Sequence, residues 1–445
     1  MRNVTLIVLV GSLLLGSGIG CAPSSKAQSG SQSIGPKGAS INPGQVVDSK
    51  IVPDAVIRHA LEVAAGKVPL HIRDLESITT LRLADDSRVY FEYDPPLNLT
   101  GLEHCTSLRL LDLEDGDVVS LAPLKSLPKL DSLRIHKVRP GGLAEEYPTH
   151  LLNLACVLNE HESLPPGLIA SLRYLDLTAT YTVVDLAGLS GARELRTLIL
   201  DQVSVDHLEV LGTLPHLEIL SLRKGQGWDG GPPEHPITWS LGACPRLRVL
   251  DLEGQAIHDL SFLAGLTSLE MLDLDSLEDY KGQGWDGLHV KEVSPLANLV
   301  HLTDLRLCGI MEYLGPMDGA NYIPVGEIAD VRALANLTSL RTLDVSGQLI
   351  SDVVPITSLQ SLWFLSLAGN PIKKPLVLPT EKYFGFLDLR QTGVSVRPTI
   401  DRVAHVDMDD ASYPAVPQTL LPFPRPCSPF PRGQYDAENV VKPSD

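Results

Sequence analysis

Aromatic residues make up only 5% of this 445-residue chain, so its core cannot lean on large rings and must be built from aliphatic side chains. Cysteine is also scarce. The six cysteines form no Cys-x-x-Cys pair, which excludes a disulfide scaffold and a zinc module. Positive charge is in deficit, with 36 Lys and Arg against 54 Asp and Glu and a formal net charge of -18. Such a chain repels a phosphate backbone, so nucleic acid is excluded as a partner. Catalytic spellings are missing as well: there is no GxSxG, no HExxH, no GxxxxGK[ST], and no GxGxxG between a strand and a helix. The 13 histidines are scattered singly, as at His207, His216 and His258, without metal-ligand spacing. The expectation is a protein that is not an enzyme and needs no metal and no cofactor.

The first segment that carries information is an address. Residues 1–20 read as a signal: Arg2, an apolar run from Val4 to Leu15, then small residues up to Cys21. The run is too short to span a bilayer. Leu15-Gly-Ser-Gly-Ile-Gly-Cys21 resembles a bacterial lipobox, which implies lipidation at Cys21, although Gly18 stands where leucine is usual. Plain cleavage or an uncleaved anchor are the other readings. Residues 21–47 contain Ser, Gly, Lys, Gln and Pro with little to bury, and are expected to form a flexible tether. Under the usual lipoprotein sorting rule, Ala22 implies outer-membrane retention.

Leucine is the excess that answers the lack of rings, with 76 residues or about 17% of the chain. Its positions repeat. The element Leu-x-Leu begins at Leu81, Leu111, Leu133, Leu152, Leu175, Leu198, Leu220, Leu250, Leu272, Leu305, Leu343, Leu365 and Leu387, most often 22 or 23 residues apart. Between these elements apolar residues recur every third position, as from Ile257 through Leu260, Leu263, Leu266 and Leu269 to Leu272. Period two predicts a short strand and period three a 3₁₀-like or extended return. Each unit exposes an apolar edge that only a neighbour can cover, so the units must stack and the ends must be capped.

The sequence LTSLRTLDVSGQLISDVVPITSLQSLWFLSLAGNPI, Leu337 to Ile372, and LTSLEMLDL, Leu266 to Leu274, resemble the repeats of bacterial internalin-like leucine-rich-repeat proteins. IVPDAVIRHALEVAAGKVPLHIRDLESITTLRL, Ile51 to Leu83, is similar to their helical N-terminal cap. The fold implied is an α/β solenoid, a leucine-rich-repeat horseshoe with about 13 short parallel strands and a small helical cap. The divisions are a tether to 47, the cap over 48–78, the solenoid over 79–395, and a C-terminal cover with a Pro-rich tail over 396–445. Asp54 is expected to N-cap a helix whose stripe Val56, Ile57, Ala60, Leu61 and Ala64 covers the first repeat, with Gly66 ending it. The asparagine that usually follows the strand is present at Asn370 but replaced by Gln255 and Gln348, so an irregular polar ladder is expected. Cys105 and Cys244 fall in leucine slots and should be buried; for Cys156, Cys308 and Cys427 the spacing predicts no particular disulfide.

Two features are candidates for binding. Four repeats carry insertions after the strand, at 84–97, 223–236, 275–289 and 308–327, which should emerge on one flank. Two of these contain the identical heptapeptide KGQGWDG, placing Trp228 and Trp285 on loops whose strands are two repeats, or about 10 Å, apart. They read either as aromatic platforms or as rings packed on their own loops. The other feature is an acidic stripe: Asp112, Asp176, Asp251, Asp273, Asp344 and Asp388 sit at the middle position of their elements, with Glu253 and Asp275 beside them. A basic partner and simple solvation are the competing readings. The family resemblance implies a protein partner, bound through the concave face and flank loops by an exported, lipid-anchored envelope protein, surface-exposed or periplasmic. The alternative is a structural envelope component that binds itself or a cell-wall saccharide. In either case the membrane is met through the N-terminal lipid only.

Overall fold

A computed structural model describes residues 42–407 apart from 84–94, 114–115, 139–146, 149, 160–162, 179–182, 224–240, 242–243, 276, 279–284, 287, 310, 314–321, 325, 358, 374–383, 393 and 395–402. The described residues form two units, divided after Leu151.

In the first unit the cap forms for the reasons its sequence suggests. Asp54 Oδ1 accepts the N–H groups of Val56 and Ile57 and starts the helix Ala55–Ala65. Its other oxygen accepts Asn98 N–H, which ties the cap to the first repeat. Gly66 ends the helix at φ 63°, a left-handed conformation that a Cβ would strain. Ile57, Ala60 and Leu61 are buried, whereas Val56 is exposed and Ala64 half-buried, so the apolar stripe is narrower than its sequence pattern. The chain joins the cap before residue 48, since Val46 bridges to His71 and Val47 is buried. Three parallel strands follow: Thr80–Arg82, Leu110–Asp112 and Ser132–Arg134, with Leu81, Leu111 and Leu133 in register.

Among the described residues of the second unit, eleven parallel strands make the main sheet, from Asn153–Ala155 to Val403–Asp407. Register places Leu154, Leu175, Leu198, Leu220, Leu250, Leu272, Leu305, Leu343, Leu365 and Leu387 in one row. The rung expected at Leu152-Asn153-Leu154 therefore sits two residues later, at Leu154-Ala155-Cys156. Ala155, rather than Asn153, aligns with Asp176. Hydrophobic spelling misleads here because Leu152 mimics the first leucine, while Cys156 fills the slot of the second and is buried. One further strand, Val403–Asp407, pairs with Phe384–Asp388. Short 3₁₀ turns such as Ser261–Leu263, Ser294–Asn298 and Arg332–Asn336 form the period-three returns.

The chain is thus a leucine-rich-repeat solenoid. Its row leucines are 0–1% exposed, and the core grows along the stack instead of outward in layers. The polar ladder holds together despite its spelling. Asn370 Nδ2 donates to Val345 O at 2.8 Å while its Oδ1 accepts Ile350 N–H. Gln348 does the same one rung earlier, donating to Leu307 O at 2.7 Å and accepting Ile328 N–H, and Gln255 Nε2 reaches Leu222 O. The longer amide spans the distance that asparagine would. Cys105, Cys156, Cys244 and Cys308 are not joined in disulfides, and Cys427 lies outside the described residues. Burial pushes the Cys105 thiol up to about 12 and that of Cys244 to about 11, as suits core residues.

Candidate functional site

Residues two apart on a strand share a face, so each rung turns three side chains away from the leucine core. In the second unit these make three rows. The first contains Tyr174, Thr197, Ile219, Val249, Met271, Asp304, Thr342, Phe364 and Phe386; the middle contains Asp176, Ile199, Ser221, Asp251, Asp273, Arg306, Asp344, Ser366 and Asp388. The third, just past the strand ends, contains Thr178, Asp201, Arg223, Glu253, Asp275, Cys308 and Ser346.

The middle-row aspartates have a backbone task. Oδ1 of Asp176, Asp251, Asp273, Asp344 and Asp388 accepts the N–H two residues on, at 3.0, 3.2, 3.0, 3.0 and 3.1 Å. Each carboxylate satisfies a donor where the ladder ends, which explains why LDL recurs without reference to any ligand. These side chains are also nearly out of solvent: Asp251, Asp273, Asp344 and Asp388 are 5%, 2%, 4% and 0% exposed, while Asp176 is half-buried. Asp112, in the first unit, is 5% exposed and lies 3.6 Å from Arg134.

Charge is distributed unevenly along the face. Asp388 has its own cation, since Arg390 donates to both of its oxygens at 2.9 and 2.6 Å. Between Thr197 and Asp344, by contrast, the acids Asp201, Asp251, Glu253, Asp273, Asp275 and Asp344 on the middle and third rows face two arginines, Arg223 and Arg306. Arg223 contacts Glu253 and lies 3.5 Å from Asp251, and Arg306 lies 3.6 Å from Asp273. Burial, and then the Asp273 charge, push the Asp251 carboxyl well above the usual range. Burial raises Asp273 to about 6 against the pull of Arg306. Asp275 is raised by burial and by Asp273 and Asp344, and Asp201 by burial. Burial opposes the charge on Arg223, but Asp251, Glu253 and Asp201 outweigh it and hold the guanidinium firmly protonated. Carboxylate oxygens of Asp251, Glu253 and Asp273 lie within 4.8 Å of one another, a grouping that could hold a metal ion, and Arg223 and Arg306 both reach it from within the chain.

The third-row side of the face is bordered by insertions. After Asp275 the strands Leu277–Glu278 and Trp285–Asp286 form an antiparallel hairpin; after Gly309 the strands Met311–Tyr313 and Tyr322–Pro324 form another. The base of the second hairpin is fixed, because Gly309 N–H donates to Ser346 O and Gly326 N–H to Gly347 O. A Cβ on Gly309 would come within 2.2 Å of Gly347 O, so only glycine permits that approach. Trp285 lies opposite Glu278 in the first hairpin. Trp228 and Cys21 lie outside the described residues.

The structure therefore brings Asp251 and Asp273 together on neighbouring rungs, with Asp344 one rung beyond Arg306, and places Asp176 and Asp388 elsewhere along the face; Asp112 belongs to the first unit. The acid that the Leu-x-Leu spelling missed is Asp201, which accepts Ser221 Oγ–H and Arg223 N–H. Its signal was available, since it stands three residues after Leu198, as Arg223 does after Leu220 and Glu253 after Leu250.

Comparison with known proteins agrees with this architecture. An internalin of Listeria monocytogenes superposes with a TM-score of 0.55 at 21% identity, covering 81% of this chain and 97% of its own. A leucine-rich-repeat protein of Leptospira interrogans gives 0.41 at 16% identity, covering 70% of this chain and 71% of its own. At 21% identity the likeness to the internalin is one of fold. No family model matches the chain, and no curated protein matches it in sequence.

Proposed function

We propose that this chain is a non-catalytic recognition protein of the cell envelope, which binds another protein through the strand face of its second unit and the hairpins beside it. The observation that carries the reading is the placement of both hairpins at the third-row edge of one charged, partly apolar face. Loops on a rigid repeat scaffold are a common means of recognition, and here the scaffold fixes their bases. Among the described residues no helix is long and apolar enough to cross a membrane. On this reading the chain is attached at its N-terminus, with Cys21 as the lipidated residue and the stretch that ends before Val46 as tether.

Pull-down from an envelope fraction tests the reading. Ile219→Glu with Val249→Glu alters two half-buried face positions, and Val300→Glu alters an exposed position off the face. The first should abolish capture and the second leave it intact; equal capture by all three proteins contradicts the proposal. Lipidation predicts that Cys21→Ala moves the protein from the membrane to the soluble fraction. If it stays bound, the anchor lies elsewhere.

A further inference from the structure

The chemistry of the partner can be read from the same face, on the strength of the function just proposed. Two lanes run along the face, one on each side of the middle row. One is apolar, with Ile219 and Val249 half-buried and Met271 buried. The other is the third row, where Asp201, Glu253 and Asp275 are half-buried and Arg223 stands between Asp201 and Glu253. Arg223 pairs with Glu253, but six acids on the middle and third rows share two arginines, and the middle-row acids are held loosely. Arg223 and Arg306 approach Asp251 and Asp273 at 3.5 and 3.6 Å, longer than the roughly 2.7–2.9 Å of a charge-assisted hydrogen bond. Because Oδ1 of both aspartates is engaged by backbone, it is Oδ2 that meets the guanidinium across that gap. An added cation would relieve repulsion within the face and gain attraction at the same time, in surroundings poorer in water than an ordinary surface.

We propose that this face takes a cationic, apolar-edged segment of a partner protein, its Lys or Arg side chains entering the lane of Asp201, Glu253 and Asp275 while its apolar side chains lie along Ile219, Val249 and Met271. The probe is a labelled peptide of alternating Lys and Val, titrated by fluorescence anisotropy against the full chain at physiological salt, beside Glu/Val and Lys/Ser peptides of equal length. The Lys/Val peptide should bind, the Glu/Val peptide should not, and the Lys/Ser peptide should bind at least about tenfold more weakly.

Asp201→Asn with Glu253→Gln keeps the acceptor that Ser221 and Arg223 use, and should weaken Lys/Val binding about tenfold or more in a protein whose circular dichroism shows it still folded. Glu194→Gln with Glu209→Gln removes the same charge from exposed positions off the face and should leave binding unchanged. Equal loss in the two double variants would reduce the effect to attraction by net charge and overturn the proposal, as would failure of the Lys/Val peptide to bind. If the peptide fails while the pull-down still depends on Ile219 and Val249, the face binds protein of other chemistry; if both fail, the functional reading falls with it.

Discussion

Asp273→Asn should stabilise this protein at neutral pH, which is unusual for a change at a fully buried polar position. In the folded chain the Asp273 carboxyl titrates at about 6, against an ordinary value of 3.8. Below about pH 4 the group is protonated in folded and unfolded chains alike and costs nothing. As pH rises toward 6 the unfolded chain releases its proton first, and stability falls; above 6 the cost is complete. Two pH units at 1.36 kcal/mol each place that cost near 3 kcal/mol, as an order of magnitude.

Asparagine imitates the protonated form and keeps the acceptor for Asp275 N–H, now 3.0 Å from Asp273 Oδ1. Arg306 retains the nearby charges of Asp275 and Asp344. Urea unfolding of wild type and variant, followed by circular dichroism at about pH 4.5 and 7.5, should show the variant ahead by up to ~3 kcal/mol at the higher pH and by far less at the lower. A variant no more stable than wild type at pH 7.5, or one with the same gain at both values, would refute the idea that this carboxylate is held at a cost.

Three further changes probe the scaffold. Arg390→Ala leaves Asp388, with no exposed surface, without its bidentate partner, and should cost about 3–5 kcal/mol by urea unfolding. Gln348→Ala removes the acceptor of Ile328 N–H and the donor to Leu307 O; at about 1–3 kcal/mol for each group left buried, the loss should be several times that of a surface Gln→Ala change in the same assay. Gly385→Ala places a methyl within 2.2 Å of Trp363 ring carbons, so the ring must leave its seat; its emission should shift to longer wavelength while the fold persists.

Much of the scaffold was legible in the sequence because a repeat states its rule many times. Leu81, Leu111 and Leu133, and the ten row leucines from Leu154 to Leu387, specify each other's register, and Asp54 and Gly66 mark the ends of the cap helix through known capping chemistry. The failures came where a local spelling outweighed the pattern. Leu152 was taken for the first leucine of its rung because Cys156 does not look like the second. Val403–Asp407 lacks leucine altogether, so no Leu-x-Leu pattern could mark it as a strand.

The face was harder to read. Sequence shows which aspartates alternate with leucine, but not that their Oδ1 atoms are spent on backbone N–H groups, nor that Asp388 owns a cation while Asp251 and Asp273 share theirs loosely. Those distinctions depend on which residue of the next rung stands alongside, and insertions of unequal length hide that neighbour. Asp201 joins the face for the same reason: its partners Ser221 and Arg223 lie one rung away.

The central claim is that the strand face of the second unit is where a partner protein sits. A photo-crosslinking amino acid placed at Val249, and separately at exposed Val300, should give in intact cells a single covalent adduct of one partner from the first position and none from the second. The same adduct from both positions, or one from Val300 alone, would contradict it.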